Sequence, residues 1–177
     1  MSRSYLKYFQ EYDNDNNKQT HIFIENKFVP IGYRIVNISN LYVGIIYPDL
    51  TKNFVKITKT PHYQFAMNIL HGHTVVPVSG YQDYEHYVEL NWHPCDSASF
   101  VKLIRSIQEE GYDADNRPIL VAKSLWRPLP VNRLDVIDGF HRLAVLAALG
   151  TKKFKVLKMR NRVSGFRRLL HRIYRAV

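Results

Sequence analysis

The chain contains a single cysteine, Cys95, and no apolar run close to the roughly 20 residues that a membrane-spanning helix needs. One cysteine excludes an intrachain disulfide framework and is typical of proteins in a reducing compartment. The segment from Met1 to Asp15 is polar and tyrosine-rich, and it lacks the apolar core of a secretory signal. We therefore expect a cytoplasmic protein.

Acidic residues are missing from one end of the sequence. Thr151–Val177 holds ten of the 25 lysines and arginines but none of the 15 aspartates and glutamates. The net charge of +10 therefore belongs to this end, and the rest of the chain is neutral. A basic end can contact phosphate on lipid, on nucleic acid or on a partner, whereas the neutral body does not indicate a nucleic-acid-binding domain.

The front half of the chain predicts a β-rich region for which the residues suggest no particular fold. His21–Ile24 and Tyr42–Tyr47 are rich in β-branched and aromatic residues, and Phe54–Thr58 predicts a shorter strand. Pro61 is then placed to begin a helix, His62–His71, at a position where proline's missing amide proton costs nothing.

The second half predicts strands and helices that alternate, which is typical of an α/β (α+β) core with crossover helices. Asp96 or Ser97 stands where the cap of the first of these helices belongs, and Gly150 stops the second. The predicted order is strand Tyr87–Leu90, helix Ala98–Glu110, strand Ile119–Ala122, strand Leu134–Ile137, helix His141–Leu149 and strand Phe154–Leu157.

The junction between a predicted strand and the last of these helices carries the clearest functional signal. The first amides of a helix lack partners within the helix and lie at the positive end of its dipole. Gly139 has no Cβ and lets a ligand approach the backbone, while Arg142 adds a fork of donors, so the junction predicts a phosphate site. Asp138 suits a magnesium ion or a substrate group instead. The alternative is a plain strand-turn-helix junction, because Asp-Gly is a common turn dipeptide.

The stretch Val-Ile-Asp-Gly-Phe-His-Arg-Leu-Ala-Val-Leu-Ala-Ala-Leu-Gly, residues 136–150, resembles the Asp-Gly-x-His-Arg signature of ParB/sulfiredoxin-like domains. The resemblance covers roughly residues 87–159. That superfamily includes chromosome-partitioning nucleotide hydrolases, sulfiredoxins and small-molecule kinases such as the free serine kinases. It implies a nucleotide-binding core at 87–159. The residue patterns on either side predict a β-rich extension at 1–86, a candidate part of an acceptor pocket, and a basic amphipathic tail at 160–177.

Departures from the family pattern favour the kinase branch. Sulfiredoxins carry a catalytic cysteine where this chain has Phe140, and a phenyl ring cannot act as a sulfur nucleophile. Partitioning proteins follow the core with DNA-binding and dimerisation domains, for which residues 160–177 leave no room. The kinases have a Pro-x-acid turn whose carboxylate acts as catalytic base, and Pro94-Cys95-Asp96 resembles it, with the shorter Asp in place of Glu.

On that branch the resemblance implies an ATP-dependent kinase that uses Mg²⁺. Asp96 would accept the proton of the acceptor hydroxyl, although a helix N-cap is its alternative role. Asp138 would position the substrate or the magnesium ion. The Gly139 backbone with His141 and Arg142 would hold the ATP phosphates, since phosphoryl transfer depends mainly on positioning and electrostatics.

The acceptor is expected to be a small molecule with a hydroxyl group, such as a sugar, an amino acid or a related metabolite. His62 and Tyr63, polar groups near a predicted helix start, are candidates for its pocket. The main alternative is a ParB-like nucleotide-binding regulatory or DNA-associated protein without kinase activity. A third possibility is a scaffold protein that has lost the site.

The tail, residues 160–177, combines an apolar helical stripe with arginines that lie off the stripe. This pattern fits a helix on an anionic membrane surface, and it fits equally a final helix docked on the domain with its arginines in water. Nucleic acid is the less favoured partner. Contact with the inner face of a membrane would suit a kinase of surface-polysaccharide assembly.

Overall fold

The computed structural model describes residues 28–49, 52–72, 83–91, 95–123 and 133–161. Within these ranges the chain is a mixed α/β protein with a six-stranded mixed sheet and four α-helices. In chain order the elements are β1 (Phe28–Asn37), β2 (Leu41–Ile46), β3 (Lys52–Val55), α1 (Pro61–His71), α2 (Tyr84–Asn91), α3 (Ser97–Glu110), β4 (Leu120–Ala122), β5 (Leu134–Asp138), α4 (Phe140–Ala148) and β6 (Lys153–Asn161).

The strands follow the order β1-β6-β4-β5-β2-β3 in the sheet. β2 runs parallel to β5, with Leu41 opposite Leu134, whereas the β2–β3 and β4–β5 pairs are antiparallel. A parallel pair needs a crossover, and the long connection from β2 to β5 contains three of the helices. The front half of the chain therefore supplies strands to the same sheet as the second half.

One compact unit spans Gly32–Lys158. The other unit, Met1–Ile31 with Met159–Val177, is described only at 28–31 and 159–161, the ends of β1 and β6. The predicted domain boundary at 86 and 87 falls within α2 and inside the larger unit. The strand predicted at His21–Ile24 and the tail lie outside the described residues.

α1 confirms the helix predicted in the front half. Pro61 occupies its first turn, and the Thr60 hydroxyl accepts a hydrogen bond from the Tyr63 amide as the N-cap. Gly72 ends the helix in the left-handed conformation, at φ 64°. The helix packs against α4, where His71 Nε2 donates to the Ala148 carbonyl at 3.0 Å.

α3 confirms the helix predicted from its apolar spacing. Phe100, Ile104 and Ile107 are buried on one face, and Gly111 follows the last turn. Asp96 is the N-cap, and its side chain accepts a hydrogen bond from the Ser99 amide at 2.7 Å. Burying apolar side chains of this size contributes roughly 1.5–3 kcal/mol each relative to leaving them exposed.

The strand predicted at Tyr87–Leu90 is wrong, because this segment is part of helix α2. Asp83 accepts a hydrogen bond from the His86 amide at 2.8 Å, as a helix cap does. Tyr84 and Tyr87 are three residues apart and both are buried, so one helical face carries the aromatic rings into the core. The packing of these rings in the core outweighs the local β propensity of the segment.

The remaining predicted elements of the second half are present with small shifts. β4 is short and fully buried, β5 is short and buried over its first three residues, and β6 extends beyond its predicted end. Leu143, Ala144 and Val145 on α4 are fully buried, so the helix that follows the signature lies in the core. Of the helices in the described ranges, none has the length and apolarity to cross a bilayer.

Candidate functional site

The predicted phosphate site lies where β5 ends and α4 begins. Asp138 is the last residue of β5, and Gly139 is the N-cap of α4 in the left-handed conformation, at φ 93°. Gly139 supplies no side-chain cap, so the first turn, Phe140 to Arg142, begins without the oxygen that Ser, Thr or Asp would provide.

Close packing explains why position 139 is glycine. A Cβ there would lie 3.0 Å from Ile119 Cγ1 and 3.2 Å from Ile119 Cα. It would also lie 3.1 Å from Arg142 Nη2. The positive φ adds a second requirement for glycine. Ile119 and the guanidinium therefore fill the side of Gly139 that the sequence left open to a ligand.

Arg142 points into the protein. Its Nη1 donates to the Arg117 carbonyl at 2.7 Å, and its Nη2 donates to Asp138 Oδ2 at 2.9 Å. Only 9% of the Arg142 side chain is exposed, compared with 37% of the Asp138 side chain. The two residues predicted to bind phosphate and magnesium thus form an ion pair that holds the start of α4 against the segment before β4.

His141 is joined to the start of α3 through the Tyr84 hydroxyl. That hydroxyl lies 2.5 Å from His141 Nε2 and 2.8 Å from the Cys95 carbonyl oxygen. Because a carbonyl can only accept, the hydroxyl donates its one proton to Cys95, and His141 Nε2–H donates to the hydroxyl. The contact therefore fixes the proton of His141 on Nε2.

No sequence signal marks Tyr84 as a link between the two predicted parts of the site. Burial is the main cause that raises the pKa of its hydroxyl far above the usual range, with the nearby Cys95 adding to the effect. The hydroxyl therefore stays protonated and keeps its donor. Burial also raises the pKa of the Cys95 thiol, which makes that thiol a poor nucleophile at neutral pH.

The two residues proposed for the acceptor pocket have different environments. His62 is fully buried, and its ring meets the rings of His141 and Tyr87 edge-on, each at a centroid distance of 4.7 Å. His62 therefore packs against His141 from the interior of the protein and is not accessible to a substrate. Tyr63 is half-buried and packs against the hydrophobic core.

Asp96 is exposed and serves as the N-cap of α3. Hydrogen bonds from the Ser99 amide and side chain are the largest causes that lower the pKa of its carboxyl. The group is therefore ionised at neutral pH, as a base must be, but its lowered pKa makes it a weaker base. The structure thus shows the capping role, and the catalytic role remains a prediction.

Asp138 is the residue of this junction that could hold a magnesium ion. Among the described residues, no group of three or more His, Cys, Asp or Glu side chains is arranged to hold a metal ion. Mg²⁺ commonly keeps several waters and needs only one or two protein carboxylates beside substrate phosphates. The partly exposed Asp138 fits that single-carboxylate requirement.

Comparison of the chain with protein-family models, curated proteins and solved structures gives no match. The candidate site therefore has to be judged on its own residues and their geometry.

Proposed function

We propose that this protein is an ATP-dependent kinase that phosphorylates a hydroxyl group of a small molecule. The supporting observation is the Tyr84 hydroxyl, which contacts both the Cys95 carbonyl and the His141 ring. One side chain thus brings the turn that carries Asp96 beside the first turn of α4. A kinase needs this juxtaposition of a base and a phosphate-binding element.

The start of α4 is the proposed phosphate-binding element. Its N-cap, Gly139, offers no side-chain oxygen, and the helix dipole favours an anion at this end. His141 stands in the first turn with its orientation fixed by Tyr84 and by the Phe100 ring, at a centroid distance of 4.6 Å. Arg142 would support the site by holding Asp138 and the start of the helix in place.

The proposed reaction is an in-line displacement at the γ-phosphorus of ATP. The acceptor oxygen forms a bond to that phosphorus, the bond to the β–γ bridging oxygen breaks, and ADP leaves. The hydroxyl proton passes to the ionised Asp96 carboxylate. Asp138 would hold the Mg²⁺ that accompanies the phosphates, and that ion would offset charge on the transferred group.

A nucleotide-binding regulatory protein without kinase activity is the second candidate, and one observation favours it. The Asp96 carboxylate already accepts a hydrogen bond from the Ser99 amide, as a structural N-cap does. A regulatory protein needs the phosphate-binding element but no base. It would bind a nucleotide and transfer nothing to an added hydroxyl compound.

The test has two measurements. Calorimetry measures the binding of ATP and of CTP, each with Mg²⁺. Turnover is measured as the release of ADP from ATP in the presence of each of a panel of hydroxyl-bearing metabolites. Asp96→Asn is the informative variant, since Asn caps a helix about as well as Asp but cannot accept the proton. We expect it to bind ATP normally and to lose about 100-fold or more in turnover. Asp113→Asn is the matched control, because hydrogen bonds from Asn116 likewise lower the pKa of the exposed Asp113.

Full turnover in Asp96→Asn would remove the base assignment. ATP binding without turnover of any metabolite, or a preference for CTP, would favour the regulatory candidate. If neither nucleotide bound, both candidates would fail.

A further inference from the structure

A second polar cluster lies at the opposite end of β5 from Asp138. Tyr42 on β2 is the register partner of Asp135 on β5. Its ring centroid lies 3.9 Å from Lys56 Nζ and 3.6 Å from Arg133 Cζ. Since a strand rises about 3.3 Å per residue, roughly 13 Å separates the two ends of β5. The cluster is therefore distinct from the site at the start of α4.

The cluster offers donors from a phenol and from an ammonium group. The Lys56 ammonium can only donate, and it donates to the Ser39 carbonyl beside the Tyr42 ring. The Tyr42 phenol has one proton to donate. The ammonium has three protons, and the bond to Ser39 uses one of them. The phenol and the ammonium can therefore both donate to one ligand.

The charge of the cluster is positive. Two cations, Lys56 and Arg133, stand against one carboxylate, Asp135, whose Oδ1 lies 3.6 Å from Arg133 Nε. That separation is too long for a hydrogen bond, and no described residue accepts a hydrogen bond from Arg133 Nε or Nη2. Interaction with Lys56, followed by the charge of Arg133, lowers the pKa of the Tyr42 phenol against the effect of burial. The described residues of the cluster thus carry one net positive charge.

We propose that Tyr42, Lys56 and Arg133 form a binding site for the phosphate group of a phosphorylated small molecule. The phenol and the ammonium donate to the phosphate oxygens, and the guanidinium packed on the ring adds charge. A phosphate dianion gains more from two cations and several donors than a carboxylate does. The proposal concerns a separate surface from the kinase site and does not depend on it.

A second tyrosine–lysine pair in the same protein provides a matched control. Lys155 Nζ lies 4.5 Å from the ring centroid of Tyr33. There the single cation is paired with the Asp115 carboxylate, and the Tyr33 hydroxyl donates to the Asp115 carbonyl at 3.2 Å. At the second pair the phenol proton is already donated and the lysine is paired with a carboxylate, so this pair should not bind phosphate.

The experiment is a titration of the full chain, labelled with ¹³C in its tyrosine rings, with inorganic phosphate at constant ionic strength. We expect a saturable shift of the Tyr42 ring signals and none at Tyr33. Lys56→Gln should weaken the binding seen at Tyr42 about tenfold or more, which corresponds to about 1.4 kcal/mol. Tyr42→Phe should weaken phosphate binding in calorimetry, while Lys155→Gln and Tyr33→Phe should leave it unchanged.

Circular dichroism and thermal melting would establish that each variant is folded. No saturable shift at Tyr42, or a Lys56→Gln variant that binds like the wild type, would overturn the proposal. A phosphate monoester should produce the same shift as inorganic phosphate. A shift that appears only with vesicles containing phosphatidylglycerol would overturn the assignment to a small molecule. Because the readout is specific to Tyr42, phosphate bound at α4 does not affect the conclusion.

Discussion

The helices α3 and α4 begin in opposite ways. α3 starts from Asp96 in an extended conformation, and the carboxylate of that residue accepts a hydrogen bond from the first turn. α4 starts from Gly139 in a left-handed conformation with no capping side chain, and the ion pair of the buried Arg142 with the partly exposed Asp138 supports it instead. A helix that caps its own start has little need of an anion, whereas an uncapped start gains from one. The comparison makes α4 the better candidate for ligand binding.

The two starts also differ in what maintains them. The Asp96 cap is local and depends on residues three apart in the chain. The start of α4 depends on Ile119, which approaches Gly139, and on the Arg117 carbonyl, which accepts from Arg142. Substitutions at the start of α4 should therefore lower the free energy of unfolding more than substitutions at the start of α3.

The largest effect is expected for Gly139→Ala. The new Cβ would meet Ile119 and the Arg142 guanidinium at about 3 Å in a left-handed backbone, so we expect a loss of about 3 kcal/mol in the free energy of unfolding. Urea denaturation measures it. Gly72→Ala is the matched control, because Gly72 also has a positive φ but its Cβ would meet nothing within 4 Å. We expect about 1 kcal/mol there. Equal losses would show that packing at Gly139 is unimportant.

Arg142→Met should cost somewhat less, about 2 kcal/mol, because it removes the two hydrogen bonds that the guanidinium donates to the Arg117 carbonyl and to the partly exposed Asp138. Denaturant unfolding again gives the value. Adding Asp138→Asn should recover part of the loss, since the second change removes the negative charge that Arg142 balances in the wild type. The free energies of unfolding of the Arg142→Met and Asp138→Asn single variants are compared with that of the double variant. If the losses of the single variants added up to the loss of the double variant, the two side chains would not be energetically coupled, contrary to their 2.9 Å contact.

Local signals made much of the fold predictable from the sequence. α1 and α3 could be placed to within a residue or so, since Pro61, Asp96 and the two closing glycines act on their immediate neighbours. The segment at Tyr87 was misassigned because its short β-prone run outweighed the spacing of its tyrosines. The periodicity of so short a run does not by itself separate a helix from a strand.

The candidate site was predictable only as a list of residues. The Asp138–Arg142 pair, four residues apart across a helix start, is within the reach of sequence reasoning. The other partners are not: the Arg117 carbonyl is 25 residues from Arg142, and Tyr84 is 57 residues from His141. Only the folded chain shows that Arg142 faces inward. The parallel pairing of β2 with β5 is nonlocal for the same reason.

The smallest effect, and the one that most sharpens the contrast between the two helices, concerns the ionisation of Asp96. Hydrogen bonds from Ser99 lower the pKa of this carboxyl from its usual 3.8. A depressed pKa in the folded state means that ionised Asp96 stabilises the fold at all pH values above about 3.8. The contribution is lost as the pH falls further, through the folded-state pKa. Asp96→Ala should lower the Tm by a few degrees at neutral pH, with a smaller difference in acid.

Asp96→Asn separates the cap from the charge. The amide oxygen still accepts from the Ser99 amide, so this variant should melt close to the wild type at neutral pH. It should also lack the acid-dependent part of the change. Thermal melts of the three proteins from neutral pH downward give both quantities. If Asp96→Ala melted like the wild type at every pH, the cap would contribute nothing to α3. The Asp96 carboxylate would then have no measurable effect on stability. That result would favour the kinase proposal, in which Asp96 is the base, over a purely structural role.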